Sequence, residues 1–154
     1  MTWATDRLDA LKAGTANPPP IVETLRLGLI DDWGEGWVRK TWRPVPELAT
    51  ADGSLFGGYL AALADQILAF AAMTVVPGDQ LYRTVNLQMN FLKVGRDGPL
   101  AIEARVVAQT RRLITARAEF RRKDGMLIAE ATAQQIVTPF DQWPVERAAV
   151  EGLT

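Results

Sequence analysis

The feature that most constrains this chain is an almost uncharged stretch over residues 53–76, in which Asp65 is the only charged residue. Ala, Leu, Ile and Phe dominate it, so residues 58–74 predict a helix that is apolar on nearly every side. Pro77–Gly78 is a helix stop signal. A helix of this kind must be enclosed by the rest of the domain, and the fold is therefore expected to be built around it.

Two features of this stretch are suited to chemistry. Gly53 and Gly57–Gly58 stand where the chain enters the helix, and they permit a tight bend and the close approach of another group. The first turn of a helix also carries N–H groups without intrahelical partners, which suit a negatively charged oxygen. Asp65 lies mid-helix without an opposite charge nearby, and burying an unpaired carboxylate costs several kcal/mol. Asp65 is therefore either a functional carboxylate or part of a narrow exposed stripe with Gln66, or it is tied to a backbone group.

Length and charge set the class of protein. The chain has 154 residues, 48% of them hydrophobic and 23% charged, which suits one domain with a sizeable core. Its net charge of −1 gives no reason to expect nucleic acid or an anionic membrane as a partner. A charge at the centre of a membrane span costs about 2.5–3.5 kcal/mol, so Asp65 argues against a transmembrane helix. No basic segment followed by an apolar core suggests secretion, and we expect a cytoplasmic protein.

The chain contains no Cys and no His. Thiol nucleophiles, disulfides, thiolate or imidazole metal sites and Ser–His–Asp triads are therefore excluded, and we expect no metal centre. Any catalysis must use carboxylates, hydroxyls, amides, Lys or Arg, or backbone dipoles.

Three regions are expected along the chain: an N-terminal helix and Pro-rich connector over 1–20, a main domain over 21–140, and a tail over 141–154 with a short helix at Trp143–Val150. Hydrophobic alternation and turn residues predict two strands before the central helix and four after it. Consecutive hairpins indicate a largely antiparallel sheet curled around the helix, and hence an α+β fold. The predicted strands are Thr24–Ile30, Trp37–Trp42, Leu81–Lys93, Leu100–Thr110, Leu113–Arg122 and Met126–Thr138.

The first strand after the helix has the clearest alternation. Its apolar face is expected to cover the helix, and its polar face is expected to line a subunit junction, a ligand groove or plain solvent. The apolar face carries Val85, Leu87, Met89 and Phe91, and the polar face carries Thr84, Asn86, Gln88 and Asn90.

Several motifs together resemble a known family. Gly53-x-x-Phe56–Gly57–Gly58 followed by Leu63–Ala64–Asp65 is similar to the His-Gly-Gly…Leu-Ala-Asp signature of single-domain acyl-CoA thioesterases of the phenylacetic-acid-degradation (PaaI-like) type. Asn90–Phe91–Leu92 resembles a segment that follows in that family, and the likeness covers residues 23–138. The resemblance implies the hot-dog fold, in which an antiparallel sheet wraps around one long central helix. The later strands contribute Arg111–Arg112, Asp124–Gly125 and Ile128–Ala129 to this likeness.

The resemblance also implies roles for individual residues. Asp65 would be the catalytic carboxylate, acting as a base towards water or as a nucleophile, and the N–H of Gly57 would bind the thioester carbonyl oxygen. Phe56 replaces the family's His, and Thr50 stands where an Asn is frequent. Coenzyme A would enter as part of the substrate, and no other cofactor is expected. Further candidates for contacts with the substrate are Phe56, Gly58 and Asn90, and for its phosphates Arg111, Arg112, Lys93 and Arg96, each of which is otherwise a solvated turn residue.

The spacing of Gly57 and Asp65 requires two chains. Eight residues of helix separate them by about 12 Å, whereas a base must come within about 3 Å of the group that it activates. Two antiparallel helices in a dimer can bring both groups to one carbon, and the family resembled is built as such dimers, often paired into tetramers. We expect a homodimer or a dimer of dimers, that is a homotetramer, with acyl-CoA as substrate. The alternatives are a non-catalytic acyl-CoA- or acyl-carrier-binding protein, suggested by Phe56, and a thioesterase acting on an acyl carrier protein. A hot-dog dehydratase or hydratase is a further alternative, but such enzymes ordinarily need a His, and this chain has none.

Overall fold

The computed structural model describes residues 1–142, so the helix predicted at Trp143–Val150 lies outside the described residues. Two short 3-10 turns, at Pro46–Leu48 and Phe140–Gln142, accompany three helices and six strands. In chain order these are α1 (Trp3–Ala13), α2 (Pro20–Thr24), β1 (Asp32–Gly34), β2 (Trp37–Trp42), α3 (Gly57–Met73), β3 (Gln80–Phe91), β4 (Leu100–Gln109), β5 (Leu113–Arg122) and β6 (Leu127–Pro139).

The six strands form one antiparallel sheet in the order β1-β2-β4-β5-β6-β3, and α3 packs against strands β2 to β6. This confirms the predicted α+β architecture of one sheet around one long helix. The inner face of the sheet is rich in alanine, which lets the helix approach closely, while larger residues of α3 fill the core. The buried alanines are Ala104, Ala116, Ala118, Ala129, Ala131 and Ala133, and the helix contributes Leu63, Ile67 and Leu68.

The N-terminal helix is part of the same core. Thr2 caps α1 through the N–H of Thr5, and Gly14 ends the helix in the left-handed conformation. Leu8 and Leu11 are buried, and the Trp3 indole donates to the carbonyl of Gln80 at 3.0 Å. Among residues 1–142, no helix is long and apolar enough to cross a bilayer.

The first predicted strand, Thr24–Ile30, is wrong. Proline is well placed at the start of a helix, and α2 begins at Pro20 and extends to Thr24. The chain then turns through Arg26, whose φ is 51°, which is incompatible with a strand. The alternation that suggested a strand comes from Leu25, Leu27 and Leu29, of which Leu27 is buried in the core and the other two pack against it.

The carbonyls of this irregular segment bond to side chains instead of to a neighbouring strand. The hydroxyl of Tyr59 donates to the carbonyls of Leu25 and Arg26. The ammonium of Lys40 donates to the carbonyl of Leu27 at 2.8 Å, and the Gln66 amide donates to that of Gly28, also at 2.8 Å. These side chains replace the ladder that a strand would have provided for the buried carbonyl of Leu27 and the partly buried carbonyls of Leu25 and Arg26, while the bond to Gly28 is exposed.

A bulge changes the faces of β3. Register with β6 shifts between Thr84 and Asn86, so Val85 leaves the inner face and is 58% exposed. The prediction that Val85 covers the helix is therefore wrong. Tyr82 and Thr84 instead lie opposite the buried Val137 and Gln135 and share the inner face with Leu87, Met89 and Phe91.

Candidate active site

The turn that leads into α3 is held by a compact hydrogen-bond network. Gly53 has a φ of 77°, which favours glycine. The Asp52 carboxylate accepts from the hydroxyls of Thr50 and Ser54, both at 2.6 Å, and from the N–H of Ser54 at 3.0 Å. The hydrogen bonds from Ser54 and Thr50 hold the pKa of Asp52 well below its usual range. Arg96 donates to the Asp52 carbonyl at 2.7 Å, which fixes the turn to the loop after β3.

The first turn of α3 offers two unused backbone donors. Phe56 occupies the N-cap position and makes no side-chain cap. The carbonyl of Phe56 accepts from the N–H groups of Tyr59 and Leu60 at 3.0 and 3.1 Å. Within residues 1–142, the N–H groups of Gly57 and Gly58 have no acceptor. The positive end of the helix dipole is therefore available to an oxygen carrying negative charge.

Aromatic rings pack closely against Gly57 and Gly58, and these glycines were predicted to permit the close approach of another group. A Cβ on Gly57 would lie 3.1 Å from the ring of Phe91, and one on Gly58 would lie 2.8 Å from the ring of Phe56. Both rings are more than half exposed. The donors therefore lie beside two aromatic rings but remain open to solvent in the single chain.

Asp65 is exposed, which corrects the expectation that α3 is enclosed on nearly every side. It lies on an open stripe of exposed or half-buried residues, the other members being Gly58, Ala61, Ala62 and Ala69. The stripe is open because the sheet ends at β3 and covers only the remaining sides of the helix. Gln66 does not share the solvent-facing role that the exposed-stripe alternative gave it, because its amide bonds to Gly28 and Lys40.

Tyr82 is a neighbour of Asp65 that the sequence did not reveal. Its half-buried ring lies on the inner face of β3. Burial raises the pKa of Tyr82, and the negative charge of Asp65 raises it further. The phenol therefore remains protonated and can serve as a hydrogen-bond donor near the carboxylate. The bulge after Thr84 concealed this position, because simple alternation from Phe91 places Tyr82 on the opposite face.

The other predicted substrate residues lie away from Gly57 within one chain. Asn90 points to the outer face of β3 and donates to Glu130 at 3.5 Å. Arg111 and Arg112 lie in the turn between β4 and β5, next to the end of α3, where Gln109 donates to the Val75 carbonyl at 3.2 Å. Because α3 is roughly 25 Å long, these arginines are far from its N-terminus. Their roles stay predictions, whereas Lys93 and Arg96 follow β3 near the start of α3.

The fold and this helix terminus define a class of enzyme, and comparison with protein families identifies it. Residues 52–129 match the model of the Thioesterase superfamily, and both Gly57 and Asp65 lie inside that match. The chain therefore belongs to the thioesterase superfamily and is a thioester hydrolase. No curated protein matches the chain.

Solved structures confirm the hot-dog fold and the PaaI-like resemblance. A phenylacetic acid degradation-related protein from Ralstonia eutropha JMP134 is 25% identical, with a TM-score of 0.74, over 84% of this chain and 98% of that one. A thioesterase family protein from Silicibacter pomeroyi is 24% identical, with a TM-score of 0.75, over 88% and 98%. A hypothetical thioesterase protein from Streptococcus pneumoniae TIGR4, solved with coenzyme A, is 28% identical, with a TM-score of 0.64, over 71% and 84%.

Proposed function

We propose that this protein is an acyl-CoA thioesterase whose active sites lie between two copies of the chain. The observation that carries the proposal is the first turn of α3, where the N–H groups of Gly57 and Gly58 lack acceptors. Asp65, the only acid of the same helix, stands exposed on its open stripe. One copy would provide the donors and the other the carboxylate.

The backbone donors stabilise charge that develops during the reaction. The thioester carbonyl oxygen accepts a hydrogen bond from Gly57 N–H at the positive end of the α3 dipole. When the carbonyl carbon becomes tetrahedral, this oxygen becomes negative and the hydrogen bond strengthens, which lowers the barrier. Phe56 and Phe91, which are exposed in the single chain, would limit the access of water to the donors once a second copy covers them.

Asp65 of the second copy acts on the carbonyl carbon. As a base, it removes a proton from a water molecule whose oxygen attacks the carbon, after which the carbon–sulfur bond breaks and coenzyme A leaves as the thiolate. As a nucleophile, its carboxylate oxygen attacks the carbonyl carbon, the carbon–sulfur bond breaks with departure of the coenzyme A thiolate, and water then hydrolyses the resulting mixed anhydride. In either route the protonated Tyr82 is a candidate for orienting the carboxylate, because its phenol lies close enough for the charge of Asp65 to raise the pKa of Tyr82.

The sheet edge supports pairing of two chains. β3 is a twelve-residue edge strand, and a long edge with unpaired N–H and C=O groups is a template for another strand. Val85 and Phe91 on this strand and Phe56 beside it are exposed apolar residues. Antiparallel pairing of two β3 strands would extend the sheet and bring two α3 stripes together. The small residues of the stripe permit that approach.

The central experiment is the Asp65→Asn variant, which keeps the size of the side chain but removes the base and nucleophile. Wild type and variant are assayed with phenylacetyl-, short-chain and medium-chain acyl-CoA. We expect kcat to fall by about 10²–10⁴-fold with unchanged folding. Asp79→Asn, an exposed acid beyond the end of α3, is the matched control and keeps its activity. An unchanged rate in Asp65→Asn excludes this mechanism.

A second candidate function is acyl-CoA binding without hydrolysis. It is favoured by Phe56, an apolar residue at an N-cap position where polar side chains are preferred. The same panel separates the two functions, because a binding protein retains acyl-CoA in calorimetry while releasing no free thiol. A single turnover in ¹⁸O-labelled water that labels the Asp65 carboxylate identifies it as the nucleophile, because the label enters when water attacks the aspartyl carbonyl of the anhydride.

A further inference from the structure

A cleft lies directly before the first turn of α3. It has a volume of about 600 Å³ and separates the segment between β2 and α3 from the loop between β3 and β4. Leu55 lines the cleft and stands two residues before Gly57, so the two are at most about 7 Å apart. A ligand held at Gly57 could therefore extend into it. The lining includes Arg43, Pro44, Pro46, Thr50, Arg96 and Pro99.

The charge around this cleft is positive. A second hollow of about 590 Å³ shares residues 96–99 with the cleft and adds further side chains from the turn between β5 and β6. The two hollows are lined by four cations, Arg43, Arg96, Arg122 and Lys123, against two carboxylates, Asp97 and Asp124. The chain as a whole has a net charge of −1, so the two hollows together carry more positive charge than the chain as a whole.

Of these four cations, Arg43 and Lys123 make no ion pair with any described residue, and of the two only Arg43 lines the cleft itself. Arg96 contacts Asp52 through an ion pair of 3.7 Å, and Arg122 pairs with Asp124 at 2.9 Å. Arg43 is exposed and makes no ion pair with any described residue. A guanidinium without a protein partner can form two parallel hydrogen bonds to a phosphate without first breaking another interaction.

We propose that this cleft binds the phosphorylated adenosine end of a coenzyme A thioester, with Arg43 as its phosphate ligand. The inference rests on the proposed function and makes its substrate class more specific. Pro44, Pro46 and Pro99 give the cleft stiff apolar walls for the base and ribose. An acyl carrier protein presents its thioester on phosphopantetheine without adenosine, so the cleft selects CoA over such carriers. This proposal assigns phosphate recognition to the cleft at the start of α3, instead of to Arg111 and Arg112.

The test compares two thioesters that carry the same acyl group, one on coenzyme A and one on pantetheine. In Arg43→Gln we expect the KM for the CoA thioester to rise about tenfold, because a hydrogen-bonded charge pair is lost, while kcat is unchanged. Kinetics with the pantetheine thioester should not change. Adenosine 3′,5′-bisphosphate should inhibit the wild type competitively and the variant much less.

Arg105→Gln is the matched control, since Arg105 lies on the outer face of β4 and pairs with Glu103 at 2.6 Å. Equal kcat/KM of the wild type for both thioesters, with no inhibition by the bisphosphate, overturns the inference. If the wild type hydrolyses neither thioester, the proposed function has failed, and calorimetry with the bisphosphate then decides the cleft alone. Binding that Arg43→Gln abolishes supports the cleft, and absent or unaltered binding overturns it.

Discussion

Lys40 has the most unusual environment of any single side chain in the described structure. It is only 2% exposed, and its ammonium donates to the Leu27 carbonyl at 2.8 Å and to the side chain of Gln66. Burial lowers the pKa of Lys40 to about 7, although the negative charge of Asp31 opposes the shift. This burial could not be predicted from the sequence, because a lysine on a strand is usually solvated.

The shift makes a prediction about stability and pH. Between about pH 7 and pH 10.5 the unfolded chain keeps the Lys40 proton while the folded chain loses it, so the free energy of unfolding rises with pH across this window. Lys40→Met removes this dependence. We expect the free energy of unfolding of the wild type minus that of the variant to rise by up to about 1.4 kcal/mol per pH unit.

Urea unfolding followed by tryptophan fluorescence at several pH values measures this difference. Lys93→Met provides the comparison, because Lys93 is exposed and its replacement leaves the wild-type pH dependence intact. A difference that stays flat between neutral and alkaline pH would show that Lys40 titrates normally.

Helices and strands are predicted correctly from the sequence where residues within the segment itself determine its structure. The helix predicted over residues 58–74 is observed at Gly57–Met73, because its composition and the following Pro77–Gly78 both act within the segment. The segment after α2 failed as a predicted strand because its carbonyls bond to Lys40, Tyr59 and Gln66, which are distant in sequence. Only the tertiary structure brings those donors together.

Gln66 joins α3 to the segment after α2 and to β2, and Gln66→Leu should weaken this connection. The substitution leaves the buried ammonium of Lys40 without one acceptor, and an unsatisfied buried group costs about 1–3 kcal/mol, whereas water can replace the donor of the exposed Gly28 carbonyl. We expect a loss of that size in chemical denaturation. Gln134→Leu, on the outer face of β6, is the control and should change stability little. Equal stability of the two variants would mean that the segment is held by packing alone.

For the whole molecule, the two sheet edges are unequal. β1 ends the sheet with three residues, whereas β3 ends it with twelve, and proteins usually shorten or charge their free edges. Gly57 and Asp65 could be proposed as site residues from the sequence because a local motif contains both, and their roles stay predictions. Tyr82 and Arg43 could be proposed only from the structure, since a bulge moves one and the fold alone brings the other beside the start of α3. The missing information in each case concerns contacts that are distant along the chain.

The open edge of β3 predicts that Val85→Lys separates the subunits. Val85 stands at the bulge of this edge, and a two-fold junction would hold the new charge twice, unpaired and away from water. We expect the dissociation constant of the dimer to rise by about a hundredfold or more, and activity to fall with the dimer population because Gly57 and Asp65 of one chain cannot reach the same carbon. Light scattering and kinetics over a dilution series measure both.

Val107→Lys is a close control for this substitution. Val107 is also a valine at a bulge and is 59% exposed, but it lies on β4, inside the sheet and away from the free edge. Its variant should remain assembled and active. A Val85→Lys protein that is monomeric at assay concentration yet fully active would show that one chain suffices for catalysis. The two-chain site would then be wrong even if Asp65 remained essential, because the carboxylate would have to reach the thioester without crossing between subunits.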